Sequence, residues 1–190
     1  MANRLAGATA PSAESDPLLA PRRTVPGSLT ILGIDPGLER CGYAIVDVRA
    51  NRVYEAGVVR STIDRPLPER LYEIDSGLDS VLAGRRIDLV AVEDLYAHYK
   101  HPRTAILMGH ARGVILLAAA RRHIEVLSLP ATQIKKAITG SGRAGKRQIQ
   151  HAVMAALGLS KLPEPCDVAD ALAAALCAGM SRTSRIKHGE

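Results

Sequence analysis

Four acids stand where an ionised carboxylate costs free energy to keep. Asp35 ends the aliphatic run Leu29-Thr30-Ile31-Leu32-Gly33-Ile34, and Glu93 ends Leu89-Val90-Ala91-Val92. Asp167 and Asp170 are three residues apart in a segment of helical spacing, so they share a face. A carboxylate beside apolar residues needs a compensating partner. Four acids cannot satisfy one another, whereas divalent cations can satisfy all of them. Mg²⁺ prefers hard oxygen ligands and keeps positions open for water and phosphate oxygens. Two such ions ~3.5–4 Å apart can engage both the attacking and the leaving oxygen of a phosphodiester displacement. Two of the acids also suit other uses: Asp35 before Pro36-Gly37 fits a turn, and Asp167 fits an N-cap. Glu93 fits neither, and the set of four points to a metal site.

Charge distribution supplies the second clue. The chain of 190 residues carries a net charge of +6. Between Leu95 and Pro163 there are eleven Lys or Arg residues and one acid, Glu125. A polyanionic partner fits that stretch, as does a solvated basic face. Within it, Tyr96-Ala97-His98-Tyr99-Lys100-His101-Pro102-Arg103 follows Glu93 directly and holds two of the chain's five tyrosines. Aromatic faces stack on unpaired bases while Lys and Arg hold phosphates, so Tyr96, Tyr99, Lys100 and Arg103 are candidate DNA contacts. Lys136, Arg143 and Arg147 join them further along. Gly140-Ser141-Gly142-Arg143-Ala144-Gly145-Lys146 matches the GxxxxGK pattern of a nucleotide-phosphate loop, but Arg147 stands where Ser or Thr must follow, and the preceding segment reads as helix. A basic loop that carries Lys146 to a DNA phosphate is the better account.

These residues need a frame. Leu29–Asp35, 42–48 and 52–59 read as strands, the last two close enough for an antiparallel meander. Apolar residues at Leu67, Leu71, Ile74, Leu78 and Leu82 give a helix. A strand at 89–92, a helix over 104–122, a strand at 124–129 and helices over 132–138, 146–157 and 167–180 follow. The order predicts an α/β domain over 29–180, with a flexible extension at 1–28 and a flexible basic tail at 181–190. Cys41, Cys166 and Cys177 are widely spaced and suggest neither a zinc site nor a disulfide framework, which fits a reducing cytoplasm. The longest apolar run, near 113–120, is short of the ~20 residues a membrane span needs.

Ile31-Leu32-Gly33-Ile34-Asp35-Pro36-Gly37 with Gly42-Tyr43, then Val90-Ala91-Val92-Glu93, Gly109-His110-Ala111-Arg112-Gly113, Gln133-Ile134-Lys135 and Asp167-Val168-Ala169-Asp170-Ala171-Leu172-Ala173 resembles the RuvC family of Holliday-junction resolvases. The motifs occur in family order across roughly residues 29 to 180. The resemblance implies an RNase H-like fold with a mixed five-stranded sheet flanked by helices. It implies a bacterial, cytoplasmic homodimer that nicks a four-way DNA junction symmetrically, with a branch-migration motor complex as partner. By matching position, Asp35, Glu93, Asp167 and Asp170 would hold two Mg²⁺ ions, with Mn²⁺ as an alternative, and Lys135 and Lys146 would lie near the scissile phosphate. The chain departs from the usual pattern at Tyr96, His101, Leu107 and His110, where phenylalanine, asparagine, lysine and glutamine are common.

Three rivals are separable. A ribonuclease of the same fold would cut folded RNA in preference to junction DNA. A non-catalytic junction-binding module would bind without metal-dependent turnover. A kinase-like ATPase needs two lobes, for which the chain is short.

Overall fold

The computed structural model describes residues 27–83, 85–95 and 102–188. The described residues form five strands and five helices, in chain order β1 (Thr30–Asp35), β2 (Arg40–Asp47), β3 (Arg52–Arg60), α1 (Leu67–Ala83), β4 (Leu89–Glu93), α2 (Pro102–Arg121), β5 (Val126–Leu129), α3 (Ala131–Thr139), α4 (Lys146–Leu157) and α5 (Cys166–His188). The strands form one sheet in the order β3-β2-β1-β4-β5. The β1–β2 and β2–β3 pairs are antiparallel; β1–β4 and β4–β5 are parallel. This is the expected mixed five-stranded sheet with helices on both faces.

Side-chain alternation divides β1 and β4 between two cores. Ile31 of β1 and Leu89 and Ala91 of β4 pack with α3, α4 and α5. Leu32, Ile34, Val90 and Val92 pack with α1 and α2 on the opposite face. Counting on by twos, Asp35 and Glu93 belong to the α5 face.

The helix that covers this face is built for close approach. Ala171, Ala173, Ala174, Ala175 and Ala178 are all buried, so little but backbone separates α5 from the strands. At two glycines even that spacing closes. A Cβ on Gly33 would lie 2.0 Å from the Ala171 carbonyl oxygen, and one on Gly42 would lie 2.2 Å from the Asp167 carbonyl oxygen. Only glycine fits there.

Several elements differ from expectation. α5 continues to His188, past the Met180 end read from the spacing. β5 starts at Val126, because Arg122, His123 and Ile124 turn back onto the end of α2 through bonds to Ala119 and Ala120, and His123 takes a positive φ of 54°. The GxxxxGK segment joins α3 to α4, helix to helix, which removes the strand a nucleotide loop requires. α2 is long and apolar enough to cross a bilayer by length and composition alone. Its Ala111, Ile115, Ala118 and Ala119 are instead buried in the core with α1 and the sheet.

Candidate active site

Four carboxylates arrive from three elements. β1 and β4 run parallel with Ile34 opposite Val92, so Asp35 and Glu93 follow as neighbours where both strands end. Parallel pairing is what puts the two acids at the same sheet edge. Asp167 and Asp170 occupy the first turns of α5, laid over that edge by the glycine contacts. Asp167 lies inside the helix, which begins at Cys166, so it is not the N-cap. An acid in the first turn is favoured by the helix dipole.

The four acids interact electrostatically. Burial, with the charges of Asp170, Glu93 and Asp167, pushes the Asp35 carboxyl up to about 8 from its ordinary 3.8; Lys146 opposes the rise. Glu93 is raised by burial and by Asp170, against Lys135. Asp170 is raised by burial and by Asp167, against Lys146 and Lys135. Crowded carboxylates in a poorly solvated place share this burden because each disfavours ionisation of the next. The two lysines singled out in the sequence are thus both within reach of the acids. Lys135 is half-buried on α3, and Lys146 is the exposed first residue of α4, with its Nζ 3.7 Å from Cys166 Sγ.

Arg40, at the start of β2, was not among the expected site residues. Its Nη2 is 2.5 Å from Asp167 Oδ2. The contact is an ion pair without hydrogen-bond geometry: Asp167 Oδ2 and Arg40 Nε are both buried and lack hydrogen-bond partners. No sequence periodicity marks Arg40, because it meets Asp167 only through the packing of α5 over Gly42. A second such residue is Arg112 of the Gly109–Gly113 motif. Its Nη2 donates to Asp94 Oδ1 at 3.0 Å and to Ser128 Oγ at 2.6 Å, tying α2 to the residue after Glu93 and to β5.

The expected DNA contacts divide. Tyr96, Tyr99 and Lys100 lie outside the described residues. Arg103, Lys136, Arg143 and Arg147 are exposed, and no ion pair engages them among the described residues. Arg147 shares a shallow hollow with Ser141, Gln148 and His151, while Lys136 and Gly142 line another. Arg121 and Arg122, part of the same basic stretch, are instead paired with Asp75 and Asp79 of α1. Tyr43 of the first motif and the nearby Cys41 are structural. Tyr43 lies across Gly57 and donates to Glu55 Oε1 at 2.8 Å, and burial pushes the Cys41 thiol up to about 12.

The fold and its carboxylate cluster define a nuclease of the RNase H-like class. The family profile of "Crossover junction endodeoxyribonuclease RuvC" matches residues 31–178. A protein of that name from Rhodopirellula baltica is 54% identical over 155 residues, covering 80% of this chain and 87% of its own. One from Heliobacterium modesticaldum is 43% identical over 157 residues, covering 82% and 96%. Among solved structures, "T. thermophilus RuvC in complex with Holliday junction substrate" aligns with a TM-score of 0.76 at 34% identity, over 82% of this chain and 96% of that one. This chain belongs to the RuvC family of crossover junction endodeoxyribonucleases.

Nucleases of this family are metal-dependent. The residues present fit a divalent ion: the donors are all carboxylate oxygens, one of them buried without a hydrogen bond, and three of the carboxyls are raised by burial and by neighbouring acids of the set. Among the described residues no group of three or more acids, histidines or cysteines is placed closely enough to hold a metal ion. The acids are neighbours that an ion would draw together.

Proposed function

We propose that this protein resolves Holliday junctions, hydrolysing one phosphodiester on each of two symmetry-related strands with Asp35, Glu93, Asp167 and Asp170 as the ligands of two Mg²⁺ ions. The observation that carries this reading is the meeting of acids from β1, β4 and α5 at one sheet edge, where burial first and neighbouring acids second raise Asp35, Glu93 and Asp170. A cluster so loaded is relieved by cations, and Mn²⁺ offers the same hard-ligand chemistry as an alternative. Bound there, the ions would supply charge neutralisation and Lewis acidity at the reacting phosphate.

The chain's own residues divide the remaining work. Asp35, which feels all three other acids, takes the central position. Lys135 and Lys146 present positive charge beside the carboxylates, where phosphate oxygens must arrive. Arg103, Lys136, Arg143 and Arg147 hold the backbone further out, and Tyr96, Tyr99 and Lys100 contact the opened crossover.

A homodimer suits a substrate of near two-fold symmetry. The outer face of α2 supports one: Ile106 and Leu117 are 63% and 49% exposed, and Gly109 and Gly113 leave open space above the helix. A branch-migration motor complex as partner, and a cytoplasmic setting, rest on the family and on the three free cysteines.

The test is Asp35→Asn. It should bind a four-way junction as the parent does, while Mg²⁺-dependent cleavage falls on the order of a thousandfold, about 4 kcal/mol of transition-state stabilisation. Retained cutting, or equal cutting of folded RNA by the parent, would overturn the assignment.

A further inference from the structure

Three of the four site acids face lysines: Lys146 acts on Asp35 and Asp170, and Lys135 acts on Glu93 and Asp170. For Asp167 the cation in contact is Arg40, reaching across from β2 to Oδ2. That oxygen is buried and makes no hydrogen bond, and the charge of Asp167 acts on Asp35 and Asp170. Arg40 is equally incomplete, since its Nε is buried without an acceptor. The strongest guanidinium–carboxylate bridges donate through two parallel bonds. Here one Nη meets one carboxylate oxygen, and the side chain remains about a third exposed (35%).

We infer that Arg40 is an exchangeable counter-ion of the metal site: it holds Asp167 while the site is empty and must leave that carboxylate when a divalent cation binds. This rests on the reading of Asp167 as a metal ligand. The ion pair and the metal compete for the same oxygen, so the arginine lowers metal affinity while protecting the empty site from its own repulsion. Gly42 sets the geometry: because it has no side chain, the first turn of α5 can rest against β2, close enough for Arg40 to reach Asp167.

Competition gives a sign opposite to that of an ordinary supporting residue. In the full-length protein, Arg40→Gln should bind Mg²⁺ more tightly by calorimetric titration, on the order of fivefold, the equivalent of about 1 kcal/mol for a partly exposed ion pair. Its metal-free melting temperature should fall, and the rise on adding Mg²⁺ should exceed that of the parent. Arg40→Lys keeps the charge and should fall between the two, which preserves the test if the glutamine variant folds poorly. Unchanged or weaker Mg²⁺ binding by the variants would overturn the exchange. If the parent shows no saturable Mg²⁺ binding, or Asp35→Asn binds as the parent does, the metal-site reading itself fails and the inference with it.

Discussion

Asp35 is the residue in which the chemistry and the stability of this protein oppose each other. Its folded carboxyl titrates at about 8, whereas an ordinary one titrates at 3.8. Between those values the folded chain holds a proton that the unfolded chain has released, so metal-free stability falls as pH rises through that window. Glu93 and Asp170, raised by burial first and by a neighbouring acid second, add to the trend. The expected outcome is a metal-free melting temperature lower by on the order of 5 °C at pH 8 than at pH 5, read by calorimetry. Asp35→Asn should flatten the slope, and saturating Mg²⁺ should abolish or reverse it. A metal-free protein equally stable at both pH values would mean that the carboxylates are not crowded as described. Protons and metal compete for the same oxygens, so the Mg²⁺ concentration for half-maximal cleavage should also fall as pH rises.

At the scale of elements, α5 carries the site and two glycines carry α5. The acids of the helix meet those of the strands only because Ala171 and Asp167 rest their backbones on Gly33 and Gly42. Gly33→Ala places a methyl 2.0 Å from a main-chain oxygen, which no rotamer change relieves. The loss of stability should be about 3 kcal/mol, at the upper end for overpacking, with a fall in kcat beyond it as Asp170 is lifted from Asp35. Chemical denaturation and cleavage kinetics on the one variant give both readings. A fully active, fully stable Gly33→Ala would sink the close-packing account. The turn after Asp35 is restrained separately: Ser61 Oγ donates to the Leu38 carbonyl oxygen at 2.5 Å, and the Ser61 amide donates to that of Glu39. Arg112 plays the corresponding part for Asp94, the residue that follows Glu93.

For the whole molecule, the basic stretch between Leu95 and Pro163 is not a uniform surface. Arg112, Arg121 and Arg122 are paired with Asp94, Asp75 and Asp79, while Arg103, Lys136, Arg143 and Arg147 are exposed. Junction affinity should therefore depend steeply on salt, with a log–log slope of about −5 to −8 for a dimer that uses the second group. Lys136→Ala or Arg147→Ala should make that slope shallower by about 2, one contact per protomer, whereas Arg121→Ala should leave it unchanged and affect only stability. Equal loss of slope from all three would restore the picture of an undivided basic face. The dimer itself is tested by light scattering, where a monomer at working concentration would count against paired nicking.

Much of this was legible without coordinates. Aliphatic runs that end in an acid identify Asp35 and Glu93 because strands bury their middles and expose their ends. Helical spacing pairs Asp167 with Asp170 for the same local reason. Lys135 and Lys146 were reached by motif, and the structure sets both beside the acids. What one-dimensional pattern cannot carry is contact between residues far apart in the chain. That β1 and β4 are parallel neighbours, that α5 lies close enough over Gly33 and Gly42 to join its acids to theirs, and that Arg121 and Arg122 are taken up by α1 are outcomes of packing. Arg40 is the clearest case. Nothing near it in sequence marks it, and only the crossing of α5 over β2 makes it the partner of Asp167. The sequence by itself determined which groups are the candidates for the chemistry, since residue type and local spacing mark them. The tertiary structure alone decided which charges face which, because electrostatic partners are chosen by distance in space.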